Sequence, residues 1–100
     1  MERVEGSHEW IKSENGITFV GITKKACKEL GEIVYVALPR VGSHIKKGDE
    51  VVVLESTKAA IDICSPVSGE VVEVNNSLES SIALLNHDSE GLGWLYKVKQ

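Results

Sequence analysis

The sequence predicts an all-β sandwich, and three observations carry that reading. Short apolar or alternating runs rich in Val and Ile recur at close spacing, with turn residues between them and few helical stretches, which is the pattern of packed antiparallel sheets. Gly31-Glu32-Ile33-Val34-Tyr35-Val36 recurs as Gly69-Glu70-Val71-Val72-Glu73-Val74, so two strands start from the same Gly-Glu turn. Only two copies occur, which suits two similar sheets facing each other about a pseudo-twofold axis better than a solenoid. Between the copies lie the β-type runs Val51 to Leu54 and Ile61 to Cys64. The small-residue stretch Ser56 to Ala59 joins them, making a hairpin that caps one end of the sandwich and carries Lys58 at an uncrowded tip.

Taken in order, Glu9 to Ile11 and Ile17 to Ile22 read as strands joined at Glu14-Asn15-Gly16, because Asn-Gly is the strongest short hairpin signal. Trp10 and Phe19 are expected to point into the core. Thr23 offers a side-chain oxygen to cap a helix through Lys24, Ala26, Lys28 and Leu30, and Gly31 stops it by taking the left-handed cap conformation. Ile33 to Leu38 is a strand ended by Pro39, which has no amide donor. Gly42 then turns the chain tightly towards Ile45, and Lys47-Gly48-Asp49 makes a second turn. In the hairpin, Val53 is expected to face the core. Ser65-Pro66 begins the return path, and Gly69 repeats the role of Gly31. Asn75 to Ser81 is a polar loop with a helical turn before Ile82 to Leu85, and the glycines of Asp88 to Gly93 permit sharp bends before a last strand from Trp94 to Val98. One or two short helices are expected in all.

Composition removes several classes of function. One hundred residues make one domain, 1–100, with a core but no room for a substrate-enclosing enzyme. The formal charge of -4, with eleven Lys and Arg residues scattered along the chain, argues against nucleic acid, which needs a basic stripe. No apolar run approaches the roughly 20 residues that span a bilayer, and the start, Met1 to Gly6, is polar, so a soluble protein away from the membrane is expected. Cys27 and Cys64 lack metal-ligand spacing and read as buried free thiols in a reducing compartment. His8-Glu9-Trp10 is not a zinc motif, because position 12 is Lys12 where a second histidine is needed, and His44 and His87 read as surface histidines. No constellation offers a general base, nucleophile or oxyanion site, so the chain is expected to be no enzyme.

Glu55-Ser56-Thr57-Lys58-Ala59-Ala60 followed by Ser65-Pro66-Val67-Ser68-Gly69-Glu70-Val71 resembles the lipoyl-attachment region of glycine cleavage system H proteins. His8-Glu9-Trp10, Val20-Gly21-Ile22-Thr23, Leu38-Pro39-Arg40-Val41-Gly42 and Gly93-Trp94-Leu95 occur in the same order as that family's blocks, across nearly the whole chain. The resemblance implies a barrel-sandwich hybrid of the lipoyl/biotinyl-carrier type, monomeric, with lipoate joined to Lys58 by an amide. It further implies four partners: a pyridoxal-phosphate glycine decarboxylase, an aminomethyltransferase, a flavin dihydrolipoyl dehydrogenase, and the lipoate ligase or lipoyltransferase that loads Lys58. Glu55 and Gly42 match positions implicated in recognition by that loading enzyme. Without the resemblance, Glu55 is a solubilising charge and Gly42 a turn that needs positive φ. The family setting implies the cytoplasm, or the mitochondrial matrix for a mature eukaryotic chain.

Three alternatives stand beside it. Biotinyl domains share the fold but usually flank their lysine with methionine, where this sequence has Thr57 and Ala59. An H-like relay would hand lipoyl groups from Lys58 to 2-oxo acid dehydrogenase subunits. H proteins usually continue into a helical tail where this sequence ends at Gln100; a trimmed chain and a naturally short homologue explain that equally well, and the second makes the relay more plausible. An unmodified β interaction module is the third.

Overall fold

The computed structural model describes residues 1–4 and 8–100; Glu5 and Gly6 of the polar start lie outside the described residues. Asn15 and Gly16 both take positive φ, 51° and 79°, as a two-residue hairpin turn of the primed type requires. That turn fixes the pairing of β2 (Glu9–Glu14) with β3 (Ile17–Ile22), Glu14 opposite Ile17, and lengthens the first strand beyond Ile11. Because side chains alternate along a strand, Thr18, Val20 and Ile22 go inwards together. Phe19 must then face outwards, contrary to the expectation. It packs edge-on against Trp94 at 5.7 Å between ring centroids, with Lys97 Nζ 4.4 Å from its own ring centre. Trp10 is buried as expected, and its indole N–H donates to the Ser89 carbonyl oxygen at 2.9 Å.

The helix α1 (Lys24–Leu30) starts where Thr23 Oγ1 accepts the Ala26 amide at 3.1 Å. Gly31 ends it with positive φ, 87°, although its ψ of −165° lies outside the left-handed helical region expected there. The remaining strands are β1 (Glu2–Arg3), β4 (Ile33–Ala37), β5 (His44–Ile45), β6 (Glu50–Ser56), β7 (Ala60–Cys64), β8 (Gly69–Val74) and β9 (Tyr96–Lys99). They form two sheets, one ordered β1-β2-β3-β9-β8-β5 and the other β4-β6-β7.

The Gly-Glu repeat therefore places β4 in one sheet and β8 in the other, with a shared core between them. Val20, Ile22, Val71 and Val98 come from the larger sheet, and Ile33, Val36, Leu54 and Ile63 from the smaller. The sheets are not equal, as the repeat alone suggested, but six strands against three among the described residues. The chain ends cause this: β3 pairs with β9 and brings the whole N-terminal hairpin onto the larger sheet.

Three further expectations change with the packing. In β6, Val52 and Leu54 take the inward positions and Val53 lies half-buried on the opposite face. In β7, Ile63 is the inward residue, so the adjacent Cys64 is exposed rather than buried; Cys27 is buried. The stretch after β8 holds two helices, α2 (Ser77–Ser80) and α3 (Ala83–Asp88), making three short helices where one or two were expected. Leu78 and Leu85, buried in the common core, explain why an otherwise polar segment folds. Among the described residues no helix is long and apolar enough to cross a membrane.

Candidate functional site

The site begins with the way β6 returns as β7. Glu55 stands opposite Ala60, and beyond that pair the Ser56 amide donates to the Ala59 carbonyl oxygen at 2.8 Å. The Ser56 hydroxyl oxygen accepts the amides of Lys58 and Ala59, each at 3.1 Å. Tight hairpin loops ordinarily need positive φ, yet Asn15 is the only non-glycine residue with positive φ among the described residues. Ser56 resolves the conflict by offering its side-chain oxygen in place of a backbone carbonyl. Thr57 and Lys58 thus form the loop without backbone strain.

Two contacts fix that loop to the body. The Thr57 amide donates to the Glu32 carbonyl oxygen at 3.0 Å, tying the tip to the residue that links α1 to β4. The Lys58 stem lies across Gly31: a Cβ on Gly31 would come within 3.3 Å of Lys58 Cε and 3.6 Å of Thr57 Oγ1. Gly31 therefore serves twice, supplying the positive φ that ends α1 and a bare surface for the lysine stem. The tip is exposed, as expected, but it is braced on one side. Among the described residues no ion pair holds Lys58 or Glu55.

Glu55 is exposed at the base of the same turn, opposite Tyr35 on one side and Ala60 on the other. Gly42 lies elsewhere. It sits in an exposed turn before β5, has φ of 93°, and donates its amide to the Val71 carbonyl oxygen at 2.7 Å. A Cβ there would have nothing within 4 Å, so neither Lys58 nor Glu55 borders it. The hairpin brings Glu55 and Lys58 together; Gly42 is placed by the larger sheet, and its φ alone accounts for glycine.

Three contributors were missed by reading the sequence. Ser56 could have been found as a small hydroxyl residue two positions before the lysine, where a turn needs one. Gly31 gave only a helix-stop signal. Asn86 gave none, yet its Oδ1 accepts the Ile33 amide at 2.8 Å and its Nδ2 donates to the Ile33 carbonyl oxygen at 2.9 Å, closing both backbone groups at the start of β4.

A cleft of about 480 Å³ opens beside Gly31, lined also by Lys24, Cys27, Lys28, Glu32 and His87. Burial pushes the Cys27 thiol above its ordinary range; Ser89 pulls it down and Glu90 pushes it further up. At neutral pH it is a protonated thiol, whose Sγ donates to the Leu85 carbonyl oxygen at 3.7 Å, and not a nucleophile. What the arrangement offers chemically is one exposed primary amine on a rigid turn, suited to acylation from outside.

A family model described as Glycine cleavage H-protein matches residues 2–100. The glycine cleavage system H protein of Thermotoga maritima is 46% identical over 99 residues, which cover 99% of this chain and 80% of that one. That of Aeromonas salmonicida is 54% identical over 94 residues, 93% of this chain and 73% of its own. Among solved structures, the crystal structure of a glycine cleavage system H protein from Mycobacterium marinum superposes with a TM-score of 0.87 at 39% identity, covering 94% of this chain and 79% of that chain.

Proposed function

The chain belongs to the glycine cleavage H-protein family, and from that premise we propose that Lys58 carries an amide-linked lipoyl group and that residues 1–100 act as one monomeric carrier domain of the glycine cleavage system. The observation that carries this reading is the braced lysine: a stem laid on Gly31 at a turn closed by Ser56 and tied to Glu32. The residues fit the group. The amine is free of ion pairs among the described residues, and the bare surface of Gly31 leaves the stem a defined direction of exit. When bound, the lipoyl group supplies a dithiolane that opens to take up an aminomethyl fragment and afterwards gives up two electrons on closing.

The chain's own work is presentation. Ser56 and Thr57 hold the attachment point still while partners dock, so that the reacting end samples a small volume at high local concentration. The partners in this reading are a glycine decarboxylase, an aminomethyltransferase and a dihydrolipoyl dehydrogenase, visited in turn, with a lipoate ligase or lipoyltransferase acting once beforehand. Catalysis belongs to them. The exposed, unpaired Cys64 supports a reducing compartment, the cytoplasm or a mitochondrial matrix.

Expression with lipoate and a ligase tests the reading: intact mass should rise by one lipoyl group, and the loaded protein should support decarboxylase-catalysed exchange of the glycine carboxyl carbon with bicarbonate. A loaded protein inert in that exchange, yet able to pass its lipoyl group to 2-oxo acid dehydrogenase subunits, would replace carrier by relay.

Glu55 yields a finer test. A ligase must distinguish Lys58 from other exposed lysines, and a carboxylate at the base of the same turn can pair with a basic residue of the docked enzyme. Exposed pairs of this kind act on encounter and are screened by salt. Glu55→Gln should slow lipoylation more at low ionic strength than at high, with an unchanged melting temperature. Rates equal to wild type at every salt concentration would leave Glu55 as a solvated charge.

A further inference from the structure

One surface beside the hairpin is built differently from the rest. The register of β4 against β6 shifts between Ile33 and Tyr35, leaving Val34 as an extra residue on its strand. In an unshifted strand one of Val34 and Tyr35 would point inwards. With the shift, Ile33 and Val36 are buried and the two residues between them stand out together, 52% and 51% exposed. Single exposed apolar residues are ordinary, but two adjacent ones turned out by a bulge are not. They line a groove of about 600 Å³ with Leu38, Pro39 and Ile82, and its one charged lining residue is Glu79.

The position of this groove relates it to Lys58. Ile33 lies opposite Ser56, and the Glu32 carbonyl oxygen accepts the Thr57 amide, so β4 starts at the hairpin tip and the groove runs back from there. Tyr35 stands directly opposite Glu55. Most residues of the groove are apolar, Glu79 lines it, Glu55 stands across from Tyr35 just outside it, and no basic residue lines it. Asn86 already occupies the amide and carbonyl of Ile33, so a visitor cannot add a strand at that end and must be recognised by its side chains.

We infer that this groove docks the enzyme that acylates Lys58, which seats an apolar side chain against Val34 and Tyr35 and turns a neighbouring arginine or lysine towards Glu55 and Glu79. An apolar anchor with a charged rim is the usual division of labour in such contacts. The inference rests on the reading that Lys58 is acylated, and it adds where the acylating enzyme binds.

Initial rates of lipoylation by purified lipoate ligase, with lipoate and ATP, measured against carrier concentration, decide it. Tyr35→Ser and Val34→Ser should each raise KM for the carrier by about tenfold with kcat unchanged, the pattern of lost docking. Tyr35→Phe should restore the wild-type KM, and Leu92→Ser, which removes an exposed leucine that does not line the groove, should have no effect. Wild-type KM in both serine variants would overturn the inference. So would light scattering showing a wild-type dimer that Tyr35→Ser dissociates without changing KM, since the groove would then be a self-interface. A wild type that the ligase never acylates removes the carrier reading itself, and that result is read before any variant is made.

Discussion

Lys58→Arg is expected to gain no mass when incubated with lipoate ligase, lipoate and ATP, while the wild type gains one lipoyl group per chain. Arginine keeps the positive charge and nearly the length of the stem, so a docked enzyme meets much the same surface. Its guanidinium stays protonated at any pH a protein survives and offers no free amine to acylate. The eight other lysines supply further side-chain amines, but Lys58 is the one carried on a turn closed by a side-chain hydroxyl and braced on glycine. Selectivity for that geometry should reduce labelling of the variant to background, an effect far larger than Glu55→Gln. The melting temperature should not move, because the side chain is exposed and such changes usually alter stability by less than about 0.5 kcal/mol. Equal mass gain in both proteins would show that the attachment point lies on another lysine and would end the case for the hairpin.

Leu54→Ala should cause the largest loss of stability, about 2 to 5 kcal/mol, because it deletes a fully buried side chain at the middle of β6. For a chain of this size each kcal/mol lowers the melting temperature by roughly 4 to 8 °C, so the drop should be obvious in a thermal scan. Val53→Ala, one residue earlier, should cost less than about 1 kcal/mol, since Val53 is half-buried on the outer face opposite Ala37 and Asp62. Lys58→Ala should cost least of the three. Urea titration of the three variants checks the ranking, and a Val53→Ala as damaging as Leu54→Ala would mean that β6 presents the opposite face to the core.

That pair of residues shows where sequence reading stops. Val51-Val52-Val53-Leu54 is apolar at both parities, so periodicity identifies a strand but not its inward face. Only pairing with Ile61 and Val36 across the strand decides it. Phe19 was misplaced for a related reason: Ile17-Thr18-Phe19-Val20 has apolar residues on both faces, and the outer position becomes attractive only when Trp94, just before β9, and Lys97, on it, come beside it. Cys64 follows its neighbour Ile63 by the same parity.

What was legible was local. Asn15-Gly16 carries its own backbone preference, Thr23 caps within three residues, and the hairpin at Lys58 is set by adjacent runs and a small-residue turn. The bed that Gly31 makes for Lys58, the clamp of Asn86 on Ile33 and the unequal sheets join residues far apart in the chain. Each was invisible for that reason.

The Asn86 clamp has a consequence for the protein in bulk. β4 is an outer strand of its sheet, and Val34 and Tyr35 leave it apolar on the exposed side, which is the kind of border along which identical chains stack into fibrils. A side-chain amide sets an N–H donor beside a C=O acceptor, as a neighbouring strand does, and Asn86 turns one of each to Ile33 while its nitrogen also donates to the Ile82 carbonyl oxygen. At Ile33 the border of β4 is thus already occupied by a residue of the same molecule. Removing that amide, as in Asn86→Ala, is therefore expected to make a concentrated solution of the chain more prone to stack along β4.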